Sequence, residues 1–134
     1  MKIIKAFPPN YADICKALPG VKGKGMVVFT YGDTIYTPTG QSIQEHLRRH
    51  EETHERQQAK MTPKVWWERY LSDPSFRFSQ ELEAYQTQYK YIKDNLGREF
   101  RRKMLGHISK DLASDIYGEV CDKETAKKLI ESID

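Results

Sequence analysis

His50-Glu51-Glu52-Thr53-His54 is the stretch of this chain whose residue types and spacing point most directly to chemistry. As a pattern it is H-E-x-x-H, which has mechanistic meaning on a helix. There, four residues advance the chain by about 400°, so His50 and His54 project from one face a turn apart and can share one zinc ion through imidazole nitrogens. Glu51 lies one step round, off the metal but beside it, where a carboxylate can take a proton from water attacking a polarised carbonyl. His46 and His50 have the same spacing, yet the three histidines cannot share one ion, because the outer two are about 12 Å apart along the axis. Leu47 follows His46 where Glu51 follows His50, so only the later pair places a base. His46 is left as a surface residue or a support behind the ligands.

A catalytic zinc keeps three protein ligands and an open position, so the downstream chain must supply one more. Glu81-Leu82-Glu83-Ala84-Tyr85 offers two carboxylates. On a helix whose inward stripe is Leu82, Tyr85, Tyr89 and Ile92, Glu81 lies about 50° from the stripe's centre and Glu83 about 150° away. Glu81 is therefore the expected third ligand. Hydrolysis at such a centre also needs a donor facing the developing oxyanion. Tyr85, Tyr89 and His107 are eligible by type, none is singled out by spacing, and Tyr85 is carried as the candidate.

The elements that must position these groups read as follows. Asn10 is placed to cap a short helix through Tyr11, Ile14, Cys15 and Leu18, stopped by Pro19-Gly20. Residues 26–31 and 34–37, separated by Gly32-Asp33, read as a β-hairpin, the one clear strand pair. Ser42 and Glu45 form an S-x-x-E capping box, predicting a helix from there toward Met61, with Ile43, Leu47, His50, His54 and Met61 on its inward side. Thr62-Pro63 restarts a short helix presenting Val65, Trp66 and Tyr70, with one of Trp66 and Trp67 entering the core and the other covering its margin. After a turn at Ser72-Asp73-Pro74, a longer helix runs from about Ser79 to a stop at Gly97. Two or three further helices are expected: through Phe100, Met104 and Ile108, near Leu112 to Tyr117, and from Asp122 with Ala126, Leu129, Ile130 and Ile133 inward.

With 134 residues the chain fits a single domain: residues 1–40 as N-terminal helix and hairpin, 42–96 as the zinc-site helices, and 98–134 as C-terminal helices. The fold class is mainly α (α+β), a minimal domain with a small hairpin packed beside the active-site helix. No stretch approaches the roughly 20 apolar residues of a membrane span, and no secretory signal opens the chain, so an unexported, cytoplasmic protein is expected. Cys15 and Cys121 are far apart and read as buried thiols in a reducing compartment. A net charge of +3 is too slight to argue for nucleic acid. Arg98, Arg101, Arg102 and Lys103 read as a solvated helix face. Gly20 to Gly25 lacks the order of a phosphate loop. The hairpin edge could hold an extended peptide by strand addition, or serve only as scaffold.

H-E-x-x-H followed by Glu81-x-x-Ala84 resembles the gluzincin zinc metallopeptidases, a resemblance that implies Zn²⁺ held by His50, His54 and Glu81, with Glu51 as general base. The residue after Ala84 is Tyr85, where gluzincins commonly carry Asp or Asn. A wider run, His50 to Gln58, Trp66-Trp67, Tyr70-Leu71, Asp73-Pro74 and Gln80 to Tyr85, with the tail Ser109, Ile116-Tyr117-Gly118, Ala126 and Ile130, is similar to small zincin-like proteins of phages and prophages. It implies a bacterial host cell, or association with a virion. The expected function is hydrolysis of a peptide or related amide, with a peptide or protein as partner and the oligomeric state left open. The competing expectation is a phage structural or assembly protein that keeps zinc as a staple. A third, a metal-free adaptor for DNA or protein, rests on the basic run alone.

Overall fold

Proline and acidic caps set the helix boundaries more sharply than apolar periodicity does. The computed structural model describes residues 1–23 and 27–132; Lys24, Gly25, Met26 and Ile133, each part of a sequence expectation, lie outside the described residues. Strand β1 (Lys2–Ile4) is followed by α1 (Tyr11–Ala17), a 3-10 turn at Pro19–Gly23, and the hairpin of β2 (Phe29–Tyr31) and β3 (Thr34–Tyr36). Helices α2 (Glu45–Ala59), α3 (Pro63–Ser72), α4 (Pro74–Asn95) and α5 (Arg98–Leu112) follow, then a 3-10 turn at Asp115–Tyr117 and α6 (Lys123–Glu131). The chain is mainly helical with a small sheet, as its composition of caps and stripes predicts.

Thr62 accepts a hydrogen bond from the Val65 N–H, with Pro63 in the first turn of α3. Asp73 closes α3 and opens α4, its carboxylate accepting from Ser75 and Phe76 N–H, with Pro74 pre-set for the first turn. The expected turn is thus a one-residue junction, and α4 starts five residues before Ser79. That extra turn buries Phe76, Arg77 and Phe78. The Ser42 capping box does not form: α2 starts at Glu45 behind Gln44, whose amide oxygen meets His46 Nε2 at 2.8 Å instead. Asn10 precedes α1 without making a capping bond, and its amide is buried with no hydrogen-bond partner. Gly97 is not a left-handed stop; it sits in extended backbone as the residue before α5.

The sheet has the order β1-β3-β2, with β1 parallel to β3 and β2 antiparallel to it in the register Phe29↔Tyr36, Thr30↔Ile35 and Tyr31↔Thr34. Gly32 at φ 62° makes the tight turn. The parallel partner β1 was not expected: three residues, all exposed, leave no alternation to read.

Two apolar clusters flank the centre. One joins α4, α5 and α6 through Phe78, Leu105, Ile108, Leu112, Ala126 and Ile130. The other joins α1, the hairpin and α3 through Ile14, Phe29, Trp66, Trp67, Tyr70 and Phe76. Both tryptophans are inside, each anchored by its indole N–H, Trp66 to the Gln80 side chain and Trp67 to the Thr30 carbonyl. Val65 and Phe100 face solvent rather than the core, and the expected helix near 112–117 is the short 3-10 turn. Cys15 and Cys121 are free and half-buried.

Between the clusters lies α2, whose buried residues are His46, His50, Glu51, Thr53, His54, Gln57 and Gln58, all polar. The expected apolar stripe is absent: Ile43 and Met61 lie outside the helix and Leu47 is half-buried. A helix seated on polar groups is stable only if each finds a partner. Gln58 shows how: its amide donates to the Thr30 carbonyl and accepts from the Gly32 N–H, fastening the hairpin beside α2.

A candidate metal centre

The antiparallel approach of α2 and α4 brings His50, His54 and Glu81 together. His50 Nε2 lies 3.1 Å from Glu81 Oε1, His54 Nε2 lies 3.3 Å from the same oxygen, and the two Nε2 atoms are 3.2 Å apart. Each residue is about 5% exposed (His50 6%, His54 5%, Glu81 5%), so the cluster is closed off on the protein side. Among the described residues it is the one group of metal-ligating side chains drawn together in this way.

Whether these groups fit an ion follows from their hydrogen bonds. Gln57 donates its amide N–H₂ to the Gln80 carbonyl and to Glu83, which leaves its oxygen facing His54 Nδ1 at 2.8 Å. Gln88 donates its amide N–H to His46 Nδ1 at 2.9 Å and turns its oxygen to His50 Nδ1 at 3.0 Å. An amide oxygen only accepts, so His50 and His54 donate from Nδ1 and their neutral forms carry a lone pair at Nε2. Two lone pairs and a carboxylate oxygen then meet across little more than 3 Å, an arrangement that needs a proton or a cation between them. Donors about 2.0–2.1 Å from a tetrahedral zinc are separated by about 3.3–3.4 Å, close to the observed triangle. The donor set therefore fits a metal ion, which His50, His54 and Glu81 would hold.

Without a metal the cluster resolves the conflict with a proton. Burial lowers the affinity of His54 for it, but the Glu81 carboxylate outweighs burial, with help from Glu51 and Gln57, and raises the imidazole to about 9. Burial pushes the Glu81 carboxyl up, and the charge of His54 with hydrogen bonds from both histidines reverses this and holds it well below the carboxylate range. The second Glu81 oxygen accepts from the Tyr70 hydroxyl at 2.5 Å, which fixes the carboxylate's orientation. Arg77, buried on α4, holds Tyr70 and the last 3-10 turn in place through the Tyr70 and Ile116 carbonyls.

Glu51 stands beside the triangle. Its Oε2 is 3.9 Å from His50 Nε2, and its Oε1 accepts from the Thr30 hydroxyl at 2.9 Å. The three ligands and Glu51 line a cleft of about 780 Å³, within the range of ligand pockets. Tyr85 also lines it, its ring edge-on to His50 at 4.6 Å between centroids, while Tyr89 belongs to the α4–α6 core and His107 sits exposed on the α5 wall. Glu83 is turned away to Gln57, and His46, expected either at the surface or as a support, is buried behind Gln88. Burial holds the phenols of Tyr70, Tyr85 and Tyr117 well above their ordinary range, with the Glu81 charge adding to it, so all three remain donors at neutral pH.

Sequence reasoning missed Gln57, Gln88, Tyr70, Thr30 and Tyr117. Two of them left a signal: Gln57 stands one turn beyond His54, and Gln88 two turns beyond Glu81, each on the face of its ligand. Thr30 and Tyr117 come from distant segments and no local spacing marks them. Compared with protein families, curated proteins and solved structures, the chain has no match, so the reading of this centre rests on its own residues.

Proposed function

We propose that this chain is a zinc-dependent hydrolase of the gluzincin type, acting on a peptide or related amide bond. The observation that carries the reading is the triangle of Nε2, Nε2 and Oε1 atoms, 3.1–3.3 Å on a side, with both tautomers set from behind. When bound, the ion supplies Lewis-acid chemistry, acidifying water and polarising a carbonyl oxygen. Glu51, oriented by Thr30, takes the proton of the attacking water and delivers it to the leaving amine. Tyr85, with Tyr117 beside it, offers a neutral phenol to the oxyanion that develops on the substrate carbonyl. Glu81 would help to hold the ion, and the Tyr70 hydroxyl fixes the orientation of its carboxylate through Oε2.

The three ligands join α2 to α4, so an ion here would also act as a staple, and the phage assembly reading keeps that much in its favour. The base separates the two. Elemental mass spectrometry of the purified protein should give about one zinc per chain, lost in His50→Ala and retained in Glu51→Gln. Glu51→Gln should abolish hydrolysis of a fluorogenic peptide library cleaved by the parent. A parent that binds zinc, folds and cleaves nothing in the library leaves the staple as the better reading; no zinc in the folded parent ends both.

A further inference from the structure

The cleft is unevenly charged. Among the described residues, its formally charged lining is Glu51, Glu81 and Asp111, with no lysine or arginine, although the chain holds 22 basic residues against 19 acidic ones. Glu81 is committed to the histidines and Tyr70, and Glu51 to Thr30 and the centre. Asp111 is the remainder. It lies on the face of α5 that also turns Met104 and Ile108 into the cleft, one turn beyond His107, and no cation stands within ion-pair distance of it among the described residues. Much of the remaining lining is apolar, Ile14, Leu18, Val21 and Val28 among it. A ligand here is favoured if it is largely apolar and brings a positive charge to Asp111.

We propose that Asp111 determines specificity, selecting extended peptides that present a cationic amine or guanidinium between apolar residues. This rests on the peptide-hydrolase reading, and the test is arranged to fail separately from it. The zinc-loaded Glu51→Gln protein serves as a binding-competent, hydrolytically inert host. Short fluorescein-labelled peptides of one apolar sequence, carrying Lys, Gln or Glu at a central position, are titrated by anisotropy at about pH 8, above the ordinary histidine range. An acetylated set isolates the side chain; a set with free amino terminus and no lysine isolates the α-amine. The Lys peptide, or the free-amine peptide, should bind about five- to tenfold tighter than its neutral counterpart. Adding Asp111→Asn should erase that preference, and Asp111→Lys should turn it toward the Glu peptide. Asp111 is exposed, so both variants should fold, which circular dichroism checks. A preference that survives both substitutions, or peptides that bind without regard to charge, overturns the assignment. Asp111-dependent binding in this host, with no cleavage by the parent, would uphold the recognition site and overturn only the catalytic reading.

Discussion

Raising the pH from about 6.5 to 9 should weaken the metal-free protein and tighten its hold on added zinc, and the structure gives the size of both effects. His54 carries the relevant proton. Its Nδ1–H is committed to Gln57, so the extra proton sits on Nε2, between His50 and Glu81, in the place an ion would take. With the imidazole raised from the ordinary 6.5 to about 9, the stabilisation is fully present below 6.5 and is lost as pH rises through 9. The span corresponds to about 3 kcal/mol of folding free energy. Glu81, held low, contributes in the other sense: its stabilisation is present above 4.5 and is lost as pH falls through the folded value. An ion entering the triangle must expel the His54 proton, so apparent zinc affinity should rise about tenfold per pH unit and level off near 9, about a hundredfold above pH 7. Chelator-competition titrations measure the affinity, urea melts with and without zinc measure the stability, and calorimetry in two buffers counts the proton, about one released per zinc at pH 7. Glu81→Gln is the control, read without zinc: without the charge that raises His54, the metal-free variant should lose the fall in urea stability between pH 7 and 9. Zinc affinity that is flat between pH 7 and 9 in the parent would refute the argument.

Other consequences can be checked on single variants. Gln57→Leu frees the His54 tautomer and leaves the Gln80 carbonyl without its side-chain donor, so zinc affinity should drop 10–100-fold and urea stability by about 2–4 kcal/mol. Tyr70→Phe removes one hydrogen bond from Glu81 while keeping the ring in its stack against Trp66; about a tenfold loss of zinc affinity is expected, read by the same competition titration. Asp73→Ala removes two capping bonds at the α3–α4 junction and should cost about 1 kcal/mol in urea unfolding without changing zinc content.

The grouping of the centre was more legible in the sequence than its surroundings. Helical spacing alone anticipates His50 and His54 on one face with Glu51 beside them, and the stripe of α4 is enough to prefer Glu81 over Glu83 as the carboxylate that meets them. What spacing cannot carry is the conversion of a usually apolar face into a polar one. His46 is left between a surface and a supporting place because the group that meets its inner nitrogen, Gln88, stands 42 residues away. The Ser42 box failed for a related reason, since Gln44 serves His46 rather than the helix end and the backbone stays extended until Glu45. Asp73 misled in the opposite direction, because a single residue that caps two helices reads locally as a turn. Strand β1 depends wholly on its pairing with β3 and has no pattern of its own.

The polar face of α2 also bears on the order in which the chain can assemble. A face of histidines, glutamines and a glutamate gains nothing from early collapse; its bonds reach across 21 to 42 residues to Thr30, Glu81 and Gln88 and form only when those groups are already in place. The aromatic and aliphatic contacts of α3 with α4 and of α4 with α5 are closer in sequence and reward contact before geometry is exact in every bond. The docking of α2 and the hairpin is then expected late, after the rate-limiting barrier. Gln58→Ala, which unfastens the two, is expected to speed unfolding several-fold and leave refolding nearly unchanged, as the two arms of a chevron plot would record.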